Sequence, residues 1–599
     1  MAEQGVSVTC EGGLDLVGTT HTLFRTPGVA TVLENYESSI HGGYRRINGF
    51  TKFGNNTPDS TSTNLEGIHS YALGVVACQG SNIYYSADGT TWTQVNKDTY
   101  IAKTGTVAVT QGSATITGSG TSFTTEFSVG DDIKVNNEIF NVLSITNNTS
   151  MTVDGNYAAT ASSQSIKKNG ATAAQLSSGS AIARVSQSDC KFALYEGESQ
   201  YGELFIVDGN NQPAYLRIDI ASGTHTYFFK EIQRSAPEKS KFATIFAERL
   251  VVAGDLDNPQ VLSYSTRLKP EDFTGSSAGT IDVGDKIKQI KPFRNKLIVF
   301  CESSIFQVSG LDGTATVSGV TKNIGCVSGN TVQEIGGDLI FLAPDGLRTI
   351  AGTARIDDIE LSSISRKIMP LFRDEVMPYL SSIRFSSMVV REKSQYRLFY
   401  HKSGSANNIQ GGVIGTFKIS STGAGVYEWS KTVGIPARIA HSGTTSDGSE
   451  VLYHSDTSGY VFNHDTGNSF DGTNIQASYK TPDMDYGDAG IRKTLYYIKT
   501  SIRSEGTNNN LKLQCRYDFE SGDVTQPAEI DLGALQTPAK FGSGATFGTT
   551  IFGGTLYPQQ KTTLTGSGFT NNFRVRSTGT ASPYTVSGFY VDFIPAGRI

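Results

Sequence analysis

The sequence is short of several things that whole classes of protein need. No run of about 18 apolar residues occurs among its 599, so no stretch reads as a membrane-spanning helix. The start, Met1-Ala2-Glu3-Gln4-Gly5, has neither a basic segment nor a following apolar core, which argues against export through a cleaved leader. Charged residues make up only 18% and the net charge is −6, so the chain lacks the basic footprint of a protein that grips nucleic acid. DNA could still slide past an acidic wall. The six cysteines (Cys10, Cys78, Cys190, Cys301, Cys326, Cys515) form no CxxC pair and no metal-ligand spacing. They read as buried free thiols, with structural disulfides as the other reading. Two tryptophans are few for a lectin, and the 26 Tyr and 31 Phe fall mostly in expected strands.

What is abundant is glycine, 65 residues of it, together with 10% aromatics, a composition suited to many short strands joined by tight turns. Four segments share one form, a polar pair, a leucine and an apolar run: Gly202 to Val207, Glu248 to Ala253, Asn295 to Phe300 and Gly337 to Leu342. Their leucines, Leu204, Leu250, Leu297 and Leu339, recur at intervals of 46, 47 and 42 residues. Such runs, rich in Val, Ile and Phe and bounded by turn formers, read as buried strands. A period of forty-odd residues is that of four-stranded repeat units, so the sequence predicts a β-propeller. Leu398 and Leu452 extend the pattern downstream, and Ile83 extends it upstream across a wider gap.

That gap holds residues 103–168, where polar and apolar residues alternate strictly in segments such as Asp132-Ile133-Lys134-Val135 and Ser150-Met151-Thr152-Val153. Period-two alternation predicts strands with one buried face, hence a small β-barrel or sandwich inserted into a propeller loop. Removing it restores a blade-sized interval between Ile83 and Leu204. Residues 85–92, Tyr-Ser-Ala-Asp-Gly-Thr-Thr-Trp, read as a shortened Asp-box, a turn in which Asp88 binds backbone amides and Trp92 packs beneath. Ile364, Ile368, Leu371, Phe372 and Val376 fall on one face of a helix that Pro370 should kink or split. From Asp471 onward, Leu511-Lys512-Leu513, Phe573-Arg574-Val575-Arg576 and residues 588–594 alternate again, predicting a second sandwich-like sheet. The expected fold is all-β: a propeller over 61–102 and 169–470, the insert over 103–168, an N-terminal docking or closure segment over 1–60 and a C-terminal β domain over 471–599.

Catalytic signatures are missing. There is no HExxH, no Walker A loop and no GxSxG elbow. His454 and His464 lie ten residues apart in turn-rich sequence and do not read as metal ligands. Asp483, Asp485 and Asp488 lack the EF-hand glutamate and read as a solvated turn. A propeller glycosidase would draw on Arg249, Asp255, Glu302, Asp345 and Arg348 at strand ends. Asp345-Gly346 and Asp208-Gly209 already have a reason to be there, because a turn calls for Asp-Gly. The Arg45-Arg46 pair reads as a solvated pair on an edge strand, or else as an anion or partner contact. The expectation is a protein that is not an enzyme, with no catalytic, cofactor-binding or metal site.

An early Asn35 followed by Gly42-Gly43-Tyr44-Arg45-Arg46-Ile47-Asn48-Gly49-Phe50 resembles the opening of the tail nozzle (tail tubular protein B) proteins of short-tailed bacteriophages. Glu248-Arg249-Leu250-Val251 with Ser263, Lys291-Pro292-Phe293 before Leu297, and Asp345-Gly346-Leu347-Arg348 are similar to the blade signatures of that family. So are Phe541-Gly542, Phe547-Gly548 and Phe552-Gly553, an aromatic loop that reads as an interface or as a self-packed turn. The resemblance implies a virion structural protein, made in the host cytoplasm. It would form the distal nozzle of the tail as a ring of six copies, below a tail adaptor and beside tail fibres, with viral DNA passing through unbound. With a net charge of −6 on each copy, the loops lining such a channel are expected to be acidic or neutral, with few lysines. The alternative is a propeller glycosidase or a carbohydrate-binding adhesin acting on host surface glycans.

Overall fold

A computed structural model describes residues 3–39, 41–60, 64–197, 199–232, 237–350, 363–402, 410–419, 425–445, 447–506, 510–533 and 559–596. The aromatic loop around Phe541, Phe547 and Phe552 lies outside the described residues. The fold is all-β and built as a six-bladed β-propeller arrangement with further sheets attached. Among the described residues six separate small sheets run as meanders. The first is Leu65–Tyr71, Gly74–Gln79, Asn82–Ser86 and Thr93–Gln94; the second is centred on Glu203–Val207, the third on Arg249–Ala253 and the fourth on Lys296–Cys301. The fifth is Gln333–Ile335, Asp338–Ala343 and Gly346–Thr349, and the sixth is Ile439–Thr444, Glu450–Ser455 and Val461–His464. The sixth takes its outer strand, Phe50–Lys52, from the chain just before the first sheet begins.

The leucine-led segments are each the second strand of their meander, paired on both edges, and Leu204, Leu250, Leu297 and Leu339 are fully buried. Burial on both faces is why these strands read as continuous apolar runs rather than alternations. One register is corrected: in the first sheet the second strand is Gly74–Gln79, and Asn82–Ser86, which carries Ile83, is the third. Both runs are apolar, so the pattern alone does not rank them.

The chain divides into two compact units, residues 56–299 with 306–318, and residues 1–55 with 300–305 and 319–599. In the first unit the insert is an eight-stranded sheet bounded by the pairing of Tyr100–Ala102 with Lys167–Asn169. Its long strand Glu138–Asn147 pairs with Asp132–Val135 at one end and Ser150–Val153 at the other, with register shifts between Val142 and Ser144 and between Ile145 and Asn147. Bulges let a strand bend and change partners. Val107, Ile116, Ile133 and Met151, from separated strands, accordingly share one apolar core.

In the second unit, Arg384–Val390, Gln395–His401, Gln410–Ile419 and Gly425–Thr432 repeat the meander but run on into a nine-stranded sheet. Val32–Glu34 bridges them to Ile475–Lys480, then Asn571–Gly579 and Leu511–Tyr517 follow. A boundary at 470/471 therefore cuts a continuous sheet. A second, seven-stranded sheet pairs the N-terminal Gln4–Thr9 and Tyr44–Arg46 with the C-terminal Tyr584–Ala596, so the two ends of the sequence form one layer. The expected helix is split into Arg366–Ile368, Met369–Leu371, the wide turn Phe372–Val376 and Met377–Tyr379. Pro370 sits in a first turn, where its missing N–H costs little, and Ile368, Leu371, Phe372 and Val376 are buried.

Candidate functional site

Among the described residues of the second unit, a group of charged side chains gathers around Glu37, on the strand Tyr36–Ser38. Its carboxylate is 2% exposed and receives Arg45 at 2.8 Å, Lys393 at 2.9 Å, Arg397 at 3.0 Å and the Gln395 amide at 3.2 Å. Gln395 and Arg397 point the same way because they are two apart on one strand. Arg397 and Lys393 also reach Asp465, at 3.1 and 2.6 Å, and Arg45 goes on to Glu505 at 2.6 Å. Three carboxylates thus face three cations. Burial alone would raise the Asp465 carboxyl, but Arg397 and Lys393 outweigh it and hold it well below the usual carboxylate range.

Two buried histidines adjoin this group. Burial pushes His454 down to about 3, and burial, His454 and Arg397 together depress His464. Glu37, Arg397, Asp465, His454 and His464 are all covered by protein and engaged with one another. These five side chains fasten together the N-terminal strand, the strand Gln395–His401 and the sixth sheet.

The residues a glycosidase would need are placed otherwise. Arg249 is buried and donates to the carbonyls of Ser265 and Ser277, both at 2.8 Å, and to Asp312 at 3.2 Å. Asp255 accepts the backbone N–H groups of Lys239 and Asp257. Glu302 is exposed in the turn after Lys296–Cys301. Of the five candidates, Asp345 and Arg348 meet each other, Nε to Oδ1 at 2.8 Å. Asp208 does cap its turn, accepting from Asn210 and Asn211, and it also holds the buried Arg184 at 3.3 Å.

Arg45 and Arg46 are not a solvated pair. Arg45 bridges Glu37 and Glu505, and Arg46 is fully buried, donating to the carbonyls of Gly579 and Ala581. Asp88 accepts the N–H groups of Thr90 and Thr91 as an Asp-box should, and the Thr90 side chain together with these backbone bonds holds its carboxyl low. Trp92, however, is only partly covered, its indole N–H donating to the Asn56 carbonyl. Asp483 accepts from Asn572, while Asp485 and Asp488 cap their own turns. All six cysteines are buried and free. Among the described residues no group of three or more His, Cys, Asp or Glu is placed to hold a metal ion, and no helix is long and apolar enough to cross a membrane.

Sequence reasoning missed Glu37 and Arg397 as partners, because they lie 360 positions apart and only the fold joins them. A charged residue inside an otherwise apolar strand, as in Tyr396-Arg397-Leu398, was the available signal.

No protein-family model matches the chain, and no curated protein matches it. Among solved structures, the extracellular domain of a hybrid two component system from B. thetaiotaomicron aligns at 10% identity and a TM-score of 0.23, over 70% of this chain and 53% of that one. This chain thus spans about half of that protein's length. An exo-beta-1,3-galactanase from Phanerochaete chrysosporium, solved with beta-1,3-galactotriose, aligns at 10% identity and a TM-score of 0.23, over 82% of this chain and 96% of that one. Neither likeness bears on the chemistry of this chain.

Proposed function

We propose that this protein is a virion structural component, the distal nozzle of a short phage tail, acting as a ring-shaped conduit and gate for DNA ejection rather than as an enzyme. The observation that carries the reading is how the nozzle-like segment is used. Gly43 and Gly49 lie so close to other backbone that a Cβ would stand 2.3 Å from the Val586 carbonyl oxygen and 1.8 Å from that of Ser469. Tyr44, Arg46 and Ile47 between them, and Phe50 just after, are buried. The resemblance therefore rests on residues with a mechanical task, locking the start of the chain to its end and to the sixth sheet. Of the candidate catalytic groups, Arg249 is spent on carbonyls and Asp312, Asp255 on turn amides, and Asp345 and Arg348 on each other, which favours a role through shape.

In this reading the subunits close head to tail, so two different faces of each must match. Six copies at −6 each make an acidic ring, which DNA would traverse without the salt-sensitive grip of a lysine-lined channel. Native mass spectrometry of the purified protein tests it: the proposal expects a particle of six 64.2-kDa chains, and a stable monomer at all concentrations would count against it.

A further inference from the structure

On the nine-stranded sheet, the face opposite the core carries a polar cleft of about 480 Å³. Strand alternation builds it. Leu33, Ala477, Tyr479, Leu513, Phe573 and Val575 point into the core. Their neighbours Glu34, Gln476, Ser478, Lys512, Arg574 and Arg576 line the cleft. The register sets Glu34, Ser478, Arg576 and Lys512 side by side across four strands.

Most of the charge in this cleft is already spoken for. Arg576 bonds Glu529, Nε to Oε1 at 2.9 Å, and Lys512 lies 3.8 Å from the same carboxylate. Arg574 differs: its Nε donates to the Ser478 hydroxyl at 2.7 Å, and among the described residues it has no carboxylate partner. Glu34 lines the same cleft; its backbone is paired in the sheet, but its carboxylate has no hydrogen-bond or ion-pair partner among the described residues. An open guanidinium favours a planar oxyanion, which it can meet with two parallel N–H groups. Glu34 is paired in register with Ser478, the residue Arg574 contacts, and further along the strands the cleft holds the Gln476 amide and the Thr578 hydroxyl; all are groups that exchange hydrogen bonds with sugar hydroxyls. Among the described residues no aromatic ring lines the cleft, which disfavours a nucleobase or an apolar peptide. Glu34 and Glu529 together would repel a run of phosphates.

We propose that this cleft binds one acidic sugar residue, its carboxylate on Arg574 and its hydroxyls on Glu34 and the neighbouring polar groups. The inference does not rest on the nozzle reading, and a failed ring would leave it standing.

The test is isothermal titration of the full chain with D-glucuronate, D-glucose and inorganic phosphate, on the natural protein and on Arg574→Ala, Arg574→Lys and Glu34→Gln, with melting curves to verify folding. The expected result is saturable glucuronate binding, weakened at least about tenfold in both arginine variants because lysine lacks the fork. Glucose should bind at least about tenfold more weakly, since the site's guanidinium is left unpaired. Glu34→Gln should narrow the preference for glucuronate over phosphate. Phosphate binding as tightly as glucuronate, and indifferent to Glu34→Gln, would reduce the cleft to a simple anion hole and overturn the sugar assignment. Binding that is absent, or unchanged in Arg574→Ala, would overturn the site.

Discussion

Arg397 donates from Nη1 to Nε2 of His464 across 3.0 Å, and that contact fixes the protons on two buried rings. Arginine cannot accept, so His464 Nε2 is bare and its proton sits on Nδ1. Nδ1 lies 3.2 Å from His454 Nδ1, which must accept, leaving the His454 proton on Nε2. That atom has no hydrogen-bond partner among the described residues, and the ring is enclosed by Phe50 and Phe462. The pair is thus held neutral by a neighbouring cation and by burial.

The pH dependence of stability follows. Both histidines have folded pKa values below the unfolded value of about 6.5, so the unfolded chain binds more protons once the pH falls below it. Stability should be full above about pH 6.5 and fall on acidification toward about 3, with a limiting slope of about 1.4 kcal/mol per pH unit for each group. Replacing His454 with Phe removes one of these groups among rings that already accommodate an aromatic. Thermal melts from pH 8 to pH 5 should show a shallower decline in His454→Phe than in the natural protein; parallel curves would contradict the assignment.

Glu37→Ala should be severely destabilising. It leaves Arg397 buried with only Asp465 as carboxylate partner and strips Arg45 and Lys393 of a second one. Breaking a buried pair by deleting one member costs about 3–5 kcal/mol. Urea denaturation of the variant should register a loss in that range, whereas Arg373→Ala, which removes an exposed pair with Asp374, should change stability by less than about 1 kcal/mol.

Gly49→Ala drives a methyl group into the Ser469 carbonyl and should cost about 1–3 kcal/mol or more. Gly313→Ala is the matched control, because nothing lies within 4 Å of the place its methyl group would take and its φ is not in the left-handed region. Melting temperatures should separate the two; an undisturbed Gly49→Ala would mean that the N-terminal segment is not fastened as described.

The thiols give a direct check on the interior. Cys10 and Cys515 are pushed up to about 12 by burial, and all six cysteines are covered. A thiol reagent should label none in the folded protein and six after denaturation under non-reducing conditions. Fewer than six in the denatured protein would reveal disulfides.

The propeller was legible because its central strands are buried on both faces and so print unbroken apolar runs, each led by a leucine such as Leu250 or Leu339. The insert was legible for the opposite reason, since one wet face prints an alternation, as in residues 132–135. What stayed hidden was long-range. Nothing in Gln4–Thr9 announces that it pairs with Tyr584–Ala596, and nothing in Val32–Glu34 announces that it bridges two meanders into one nine-stranded sheet. Strand pairing is set by backbone hydrogen bonds that any residue except proline can make, so register over hundreds of positions leaves little local trace. The cleft around Arg574 was half legible: alternation in Phe573-Arg574-Val575-Arg576 put both arginines on one face, but which neighbours would neutralise them was not written there.

If the molecule works by shape, as a conduit assembled from rigid sheets, the purified protein viewed by electron microscopy should form rings with a central bore. Compact single subunits without a bore would refute that reading.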